Sequence, residues 1–187
     1  MNLVGKKIGV WLMALALLGS QLFFRSEANA ESPQIIWREM QARSGDCKIS
    51  FPGMPQLIEQ SLKVEGSDAR LTYDVYLAPL QNRGVCLLLI AQYPSEVPAG
   101  QEMMGLQALV KGILTKDSEN KLVFSEPALL QKFPALNFMV QNGKNYFRAQ
   151  AIMAGNKLYM IAMEGGKSHF DESLFQIFLK SFQLLIQ

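Results

Sequence analysis

Two dipeptides constrain this chain more than anything else in it. Asn142-Gly143 and Gly155-Asn156 each sit between runs of strand-forming residues, Leu136–Gln141, Asn145–Ala154 and Lys157–Glu164. A chain that must reverse within two residues needs positive φ, which Gly and Asn supply at little steric cost. The spacing therefore predicts three consecutive antiparallel strands.

The rest of the pattern extends that sheet. Arg70–Ala78 alternates, with Leu71, Tyr73, Val75 and Leu77 on one face, so Tyr73 and Tyr76 point oppositely, one to the core and one to a binding face. Val85–Tyr93 is nearly all apolar, the mark of a central strand buried on both faces. Cys47–Phe51 and Gln56–Glu65 read as strands, separated by the Pro52-Gly53-Met54-Pro55 turn. Gly66-Ser67-Asp68 turns the chain again. Leu122–Leu130 is broken by Pro127, which belongs at a sheet edge. Met103, Leu106, Val110, Ile113 and Leu114 recur at helical spacing in Gln101–Asp117. A last helix follows Ser168 as N-cap, with Asp171 closing a capping box and Phe170, Leu174, Ile177, Phe178 and Phe182 as its apolar stripe. A short helical turn is expected at Gln34–Gln41, with Ile36 and Trp37 as anchors. The order is an α+β domain, an antiparallel β-sheet with covering helices. Residues 1–30 are a signal peptide, 31–45 a lead-in and 46–187 the single domain.

The leader sets the compartment. Lys6 and Lys7 precede the apolar run Ile8–Phe24, and Ala28-Asn29-Ala30 is a small-x-small site, so cleavage is expected after Ala30. The chain is then exported, periplasmic or extracellular. The alternative is an uncleaved leader anchoring it to the inner membrane. Export gives Cys47 and Cys86 an oxidising environment, and a Cys47–Cys86 disulfide is the expectation; the alternative is two buried free thiols.

The formal charge of +2 belongs to the leader, where Lys6, Lys7 and Arg25 outnumber Glu27. Residues 31–187 hold equal numbers of basic and acidic side chains, and no basic run, which argues against a nucleic-acid partner.

Catalytic motifs are weak. Gly165-Gly166-Lys167-Ser168 looks like the end of a phosphate loop, but the glycine such a loop needs is replaced by Ile161, so a glycine turn into a capped helix is the better reading. Ser118-Glu119-Asn120-Lys121 has Ser-x-x-Lys spacing without the companion motifs. His169, the sole histidine, has Asp171 and Glu172 near it as conceivable metal ligands, but it sits where a solvated helix start is expected. Met160 and Met163 on a strand, and Met103 and Met104 on a helix, fall on different faces, which fits core packing and not a metal cluster. No catalytic, cofactor or metal residue is assigned.

Trp37, Ile49-Ser50-Phe51-Pro52-Gly53-Met54-Pro55, Tyr73 and Ala91-Gln92-Tyr93-Pro94, followed by Tyr146-Phe147-Arg148-Ala149, Lys157-Leu158-Tyr159-Met160-Ile161 and Leu179-Lys180-Ser181-Phe182, resemble a group of uncharacterised exported bacterial proteins with the Mog1/PsbP-like α/β/α sandwich. The resemblance spans about residues 37–185. It departs at Phe133-Pro134-Ala135-Leu136, where such sequences often carry a Gly-Pro-Gly-like turn. It implies an accessory or binding protein and transfers no site residue. The expectation is a non-catalytic exported domain that binds a protein or envelope component. The alternative is an exported hydrolase or metal-binding enzyme with an unrecognised site.

Overall fold

The computed structural model describes residues 34–63 and 68–185. The expected leader, the expected cleavage site after Ala30 and the Gly66-Ser67 part of the expected turn lie outside them. The strands are β1 (Arg38–Gln41), β2 (Cys47–Phe51), β3 (Gln56–Lys63), β4 (Arg70–Pro79), β5 (Val85–Gln92), β6 (Asn120–Leu130), β7 (Phe133–Asn142), β8 (Asn145–Ala154), β9 (Lys157–Gly166) and β10 (Gln183–Leu184). The helices are α1 (Glu102–Lys116) and α2 (Glu172–Lys180). Seven strands make one antiparallel sheet in the order β3-β4-β5-β9-β8-β7-β6, and β1-β2-β10 make a second, smaller sheet.

The two expected hairpins form, each closed by a two-residue loop. Asn142 faces Asn145 across Gly143-Lys144, and Ala154 faces Lys157 across Gly155-Asn156. Gly143 and Gly155 take φ of 53° and 61°, the freedom these reversals require. A third hairpin joins β6 to β7 across Gln131-Lys132, where Gln131 adopts φ 55° without being glycine. Phe133-Pro134-Ala135-Leu136 is thus strand from its first residue and not a turn.

Both faces of the large sheet are covered. Leu71, Tyr73, Val75 and Leu89 pack under Leu106, Leu109 and Val110 of α1. On the other face Tyr76, Leu88, Tyr159 and Ile161 meet Ile49 and Phe51 of β2 and Phe175 and Phe178 of α2. Burying a phenylalanine such as Phe178 stabilises by roughly 1.5–3 kcal/mol. Because each face has its own layer, Tyr73 and Tyr76 do point oppositely, yet both are buried. Neither sits on a binding face.

The structure corrects four local expectations. Residues 38–41 form strand β1 and not a helical turn, because they pair with β2 from Arg38–Phe51 to Gln41–Lys48. Trp37 anchors as expected, stacked 6.1 Å from Phe178, but Ile36 is exposed. The cap of α2 is Asp171 and not Ser168. Asp171 Oδ1 accepts from the backbone N–H of Ser173 (2.9 Å) and Leu174 (3.4 Å). In the α2 stripe Phe175 is buried, whereas Ile177 is exposed.

The Cys47–Cys86 disulfide is also corrected. Both residues are free thiols, and both are buried. Cys47 lies on the small sheet and Cys86 on the large one, where they pack as small apolar side chains in one core.

Candidate functional site

One buried polar cluster is built on the carboxylate of Asp46, which leads into β2. Its Oδ2 accepts from Tyr159 Oη at 2.9 Å and from Lys157 Nζ, and its Oδ1 accepts from Ser44 Oγ at 2.6 Å. Burial pushes this carboxyl up, but the hydrogen bonds from Lys157, Ser44 and Tyr159 and the charge of Lys157 outweigh it, leaving it below the ordinary value. Such a carboxylate is ionised and saturated, which suits a structural tie and not a base.

Two other carboxyls are held above their ordinary values. Burial does this at Asp74, with Glu59 adding repulsion against the pull of Arg43, and burial alone does it at Glu164. A raised carboxyl is the usual mark of an acid catalyst. Asp74 shares a sheet face with Tyr76, two residues on, and Glu164 shares the opposite face with Ala162. The sheet separates them, so they cannot act together on one substrate.

A second buried ion sits under α2. The guanidinium of Arg148 lies between the rings of Phe124 and Phe175, 4.8 Å and 4.5 Å from their centroids. Its Nε donates to Glu172 Oε1 (3.3 Å), and its Nη1 donates to the carbonyls of Phe138 (3.3 Å) and Ala149 (3.0 Å). This cation too is occupied within the fold.

The motif residues do not assemble into a centre. Gly165 and Gly166 end strand β9 instead of forming a loop. A Cβ at Gly165 would stand 2.3 Å from the carbonyl oxygen of Arg83, and one at Gly84 would stand 1.9 Å from that of Glu164. The glycine is there for the backbone contact between these segments. His169 is exposed and precedes α2, with Nδ1 2.8 Å from the Oγ of its neighbour Ser168. Asp171 is spent on the helix cap and on Arg83, 3.5 Å away. Ser118 lies in a turn beyond α1, while Lys121 is on β6, so the helical turn that Ser-x-x-Lys chemistry needs is missing. Met160 and Met163 join opposite cores. Among the described residues, no group of three or more His, Cys, Asp or Glu is placed to hold a metal ion. No helix among them is long and apolar enough to cross a membrane.

One open feature among the described residues is apolar. Met103, at the start of α1, lines a shallow groove with Pro127, Ala128, Leu129 and Pro134 of the β6–β7 hairpin. Around it Leu129 is 73% exposed and Met104 46%, and further along β6 Leu122 and Val123 are 46% and 50% exposed. Sequence reasoning placed Pro127 at an edge and split the two methionines between faces, but nothing local to either segment signals that α1 starts beside this hairpin.

No family model matches the chain, and no curated protein does. Among solved structures it is similar to cyanobacterial PsbP (CyanoP) from Synechocystis sp. PCC 6803, determined in solution. The TM-score is 0.53 at 12% identity, over 84% of this chain and 98% of that one. At that identity the likeness establishes the fold, a PsbP-like arrangement of a mostly antiparallel sheet with two helices.

Proposed function

We propose that the chain is an exported, non-catalytic binding protein whose contact surface is the apolar groove between α1 and the β6–β7 hairpin. The carrying observation is the exposure of Leu129 and Met104 beside the apolar groove lined by Met103, Pro127, Ala128 and Pro134. Contiguous exposed apolar surface is disfavoured on a monomer unless something covers it. The buried Asp46 and Arg148 clusters are closed within the fold, and the two raised carboxyls face apart. These facts support binding over hydrolysis. Export rests on the leader and on Ala28-Asn29-Ala30.

A photo-crosslinking residue placed at Leu129 or Met104, in cells whose envelope is intact, tests the reading. A discrete adduct is expected from these positions and not from Lys111, and Leu129→Asp should weaken the Met104 adduct. Equal labelling from all three sites, or none, overturns it. Mass spectrometry of the mature N-terminus should begin at Glu31; a chain beginning at Met1 overturns cleaved export.

A further inference from the structure

Among the described residues the large sheet ends in two edge strands, β3 and β6, and they are not alike. β6 is guarded. Its register slips between Leu122 and Phe124, and it carries Pro127. Bulges and prolines are how a sheet edge avoids recruiting another strand. β3 has neither. It pairs with β4 without interruption from Gln56–Leu77 to Lys63–Arg70.

The direction of each main-chain group on β3 follows from the hairpins. The pairs that close two-residue loops, Asn142–Asn145 and Ala154–Lys157, exchange hydrogen bonds, and hydrogen-bonded pairs then alternate along each ladder. Carried through the β9–β5, β5–β4 and β4–β3 registers, this alternation turns Gln56, Ile58, Gln60 and Leu62 toward β4. Leu57, Glu59, Ser61 and Lys63 turn their N–H and C=O groups outward. The same alternation sends the missing N–H of Pro127 out of the β6 edge. It sends that of Pro134 beyond the first β7–β8 pair, Ala135–Ile152, so neither proline breaks a ladder bond.

We infer that β3 is a docking edge for a second copy of this chain, antiparallel and centred on Gln60. In that register Leu57 exchanges hydrogen bonds with Lys63 of the other copy, and Glu59 does so with Ser61. Ile58 and Leu62, both packed against the α1-side core, then stand opposite each other across the junction and extend that core. No like charges face each other directly. Centring on Glu59 instead would oppose two carboxylates. Centring on Ser61 would leave Leu57 beyond the paired segment. The axis stands perpendicular to the sheet, so each α1 stays on the same face. Equal numbers of acidic and basic side chains in residues 31–187 remove net repulsion between copies. Arg70 already lies across this edge: its Nε donates to Ser61 Oγ at 2.7 Å and its Nη2 to Ser61 O at 3.2 Å, so the side chain has to move aside and the carbonyl contact has to be shared. A carbonyl has a second lone pair for this.

The proposal does not rest on the α1–β6 groove, and substitutions at Leu129 leave β3 intact. Sedimentation of the purified protein over a concentration series should show a monomer–dimer equilibrium. Ser61→Pro, which removes two symmetry-related outward N–H groups, should weaken it about tenfold or more. Ser125→Pro on the guarded edge should leave it unchanged. Hydrogen exchange gives a readout independent of the variants. The amides of Leu57, Glu59, Ser61 and Lys63 should gain protection as concentration rises, while those of Ile58, Gln60 and Leu62 are protected throughout. A monomer at all concentrations, or outward amides that exchange freely in a dimer, overturns the proposal. So does protection that needs a different protein to be added.

Discussion

Tyr159 donates a hydrogen bond from Oη to Oδ2 of Asp46 at 2.9 Å, joining residues 113 positions apart. The tyrosine belongs to the middle strand of the large sheet, and the aspartate leads into the small sheet. Lys157, two residues before Tyr159, holds the same oxygen. Leu185 N–H, just past β10, donates to the backbone carbonyl of Asp46 at 2.8 Å. One residue thus ties the segment just past β10 and the two sheets together. Asp46→Ala leaves Lys157 and Tyr159 without their acceptor in a mostly buried place and should cost about 2–4 kcal/mol in urea unfolding. Tyr159→Phe should cost about 1.5–3 kcal/mol, the range for a hydrogen bond to a charged group.

The Asp46 contribution should depend on pH in a fixed sense. Its folded value lies below the unfolded one, so the stability it supplies is present above the unfolded value, about 3.9, and is lost as pH falls through the folded value. The gap in stability between wild type and Asp46→Asn should therefore narrow as pH drops below about 4. Glu164 has the opposite sign, since burial raises it. Its ionisation opposes folding, and Glu164→Gln should stabilise the protein at neutral pH, with the gain fading in acid. A constant offset for either variant across the range would refute its assignment.

The Gly84–Gly165 contact tolerates no side chain. Gly84 has φ 145°, and a Cβ there would stand 1.9 Å from the Glu164 carbonyl oxygen. Gly84→Ala and Gly165→Ala should each lose about 3 kcal/mol or more, or fail to accumulate as folded protein. Gly143→Ala has nothing within 4 Å of the new methyl and only its φ of 53° to contend with, so it should lose about 1 kcal/mol. Thermal unfolding of the three variants would rank them.

Arg148 is held by shape as well as charge. A lysine cannot lie flat between Phe124 and Phe175 while donating to Glu172 and two carbonyls. Arg148→Lys should therefore recover little of the roughly 3–5 kcal/mol lost in Arg148→Ala. Chemical denaturation that finds the lysine variant near wild type would show that only the charge matters.

Cys47 and Cys86 should remain thiols. Burial pushes each up to about 12, with the Asp46 charge adding to the effect at Cys47. Native protein should resist alkylation at neutral pH, and protein denatured without reductant should titrate two thiols. Zero thiols would restore the disulfide.

Several features were legible from the sequence because their causes act over a few residues. Gly143 and Gly155 set the hairpins through backbone freedom, the alternation from Leu71 to Leu77 set the faces of β4, and Pro127 marked an edge. The groove was not legible, because Met103 and Leu129 meet only after α1 has packed along β6. Nor was the small sheet. Arg38–Gln41 reads locally as a helical turn, and Gln183–Leu184 is too short to show any period; both become strands only because β2 offers unpaired main-chain groups between them. Asp171 displaced Ser168 as the cap because β9 runs to Gly166 and the turn after it, closed by His169 N–H to Gly166 O at 2.9 Å, delays the helix. Cys47 and Cys86 sat at a spacing that allowed a bridge, but the structure leaves both as buried free thiols. Local turn chemistry and periodicity determined the strands and their faces. The second layer, the Asp46 tie and the exposed edges depend on contacts between residues up to 130 or more apart, such as Ser50 N–H to Ser181 Oγ at 2.9 Å, and only the packed tertiary structure decided those.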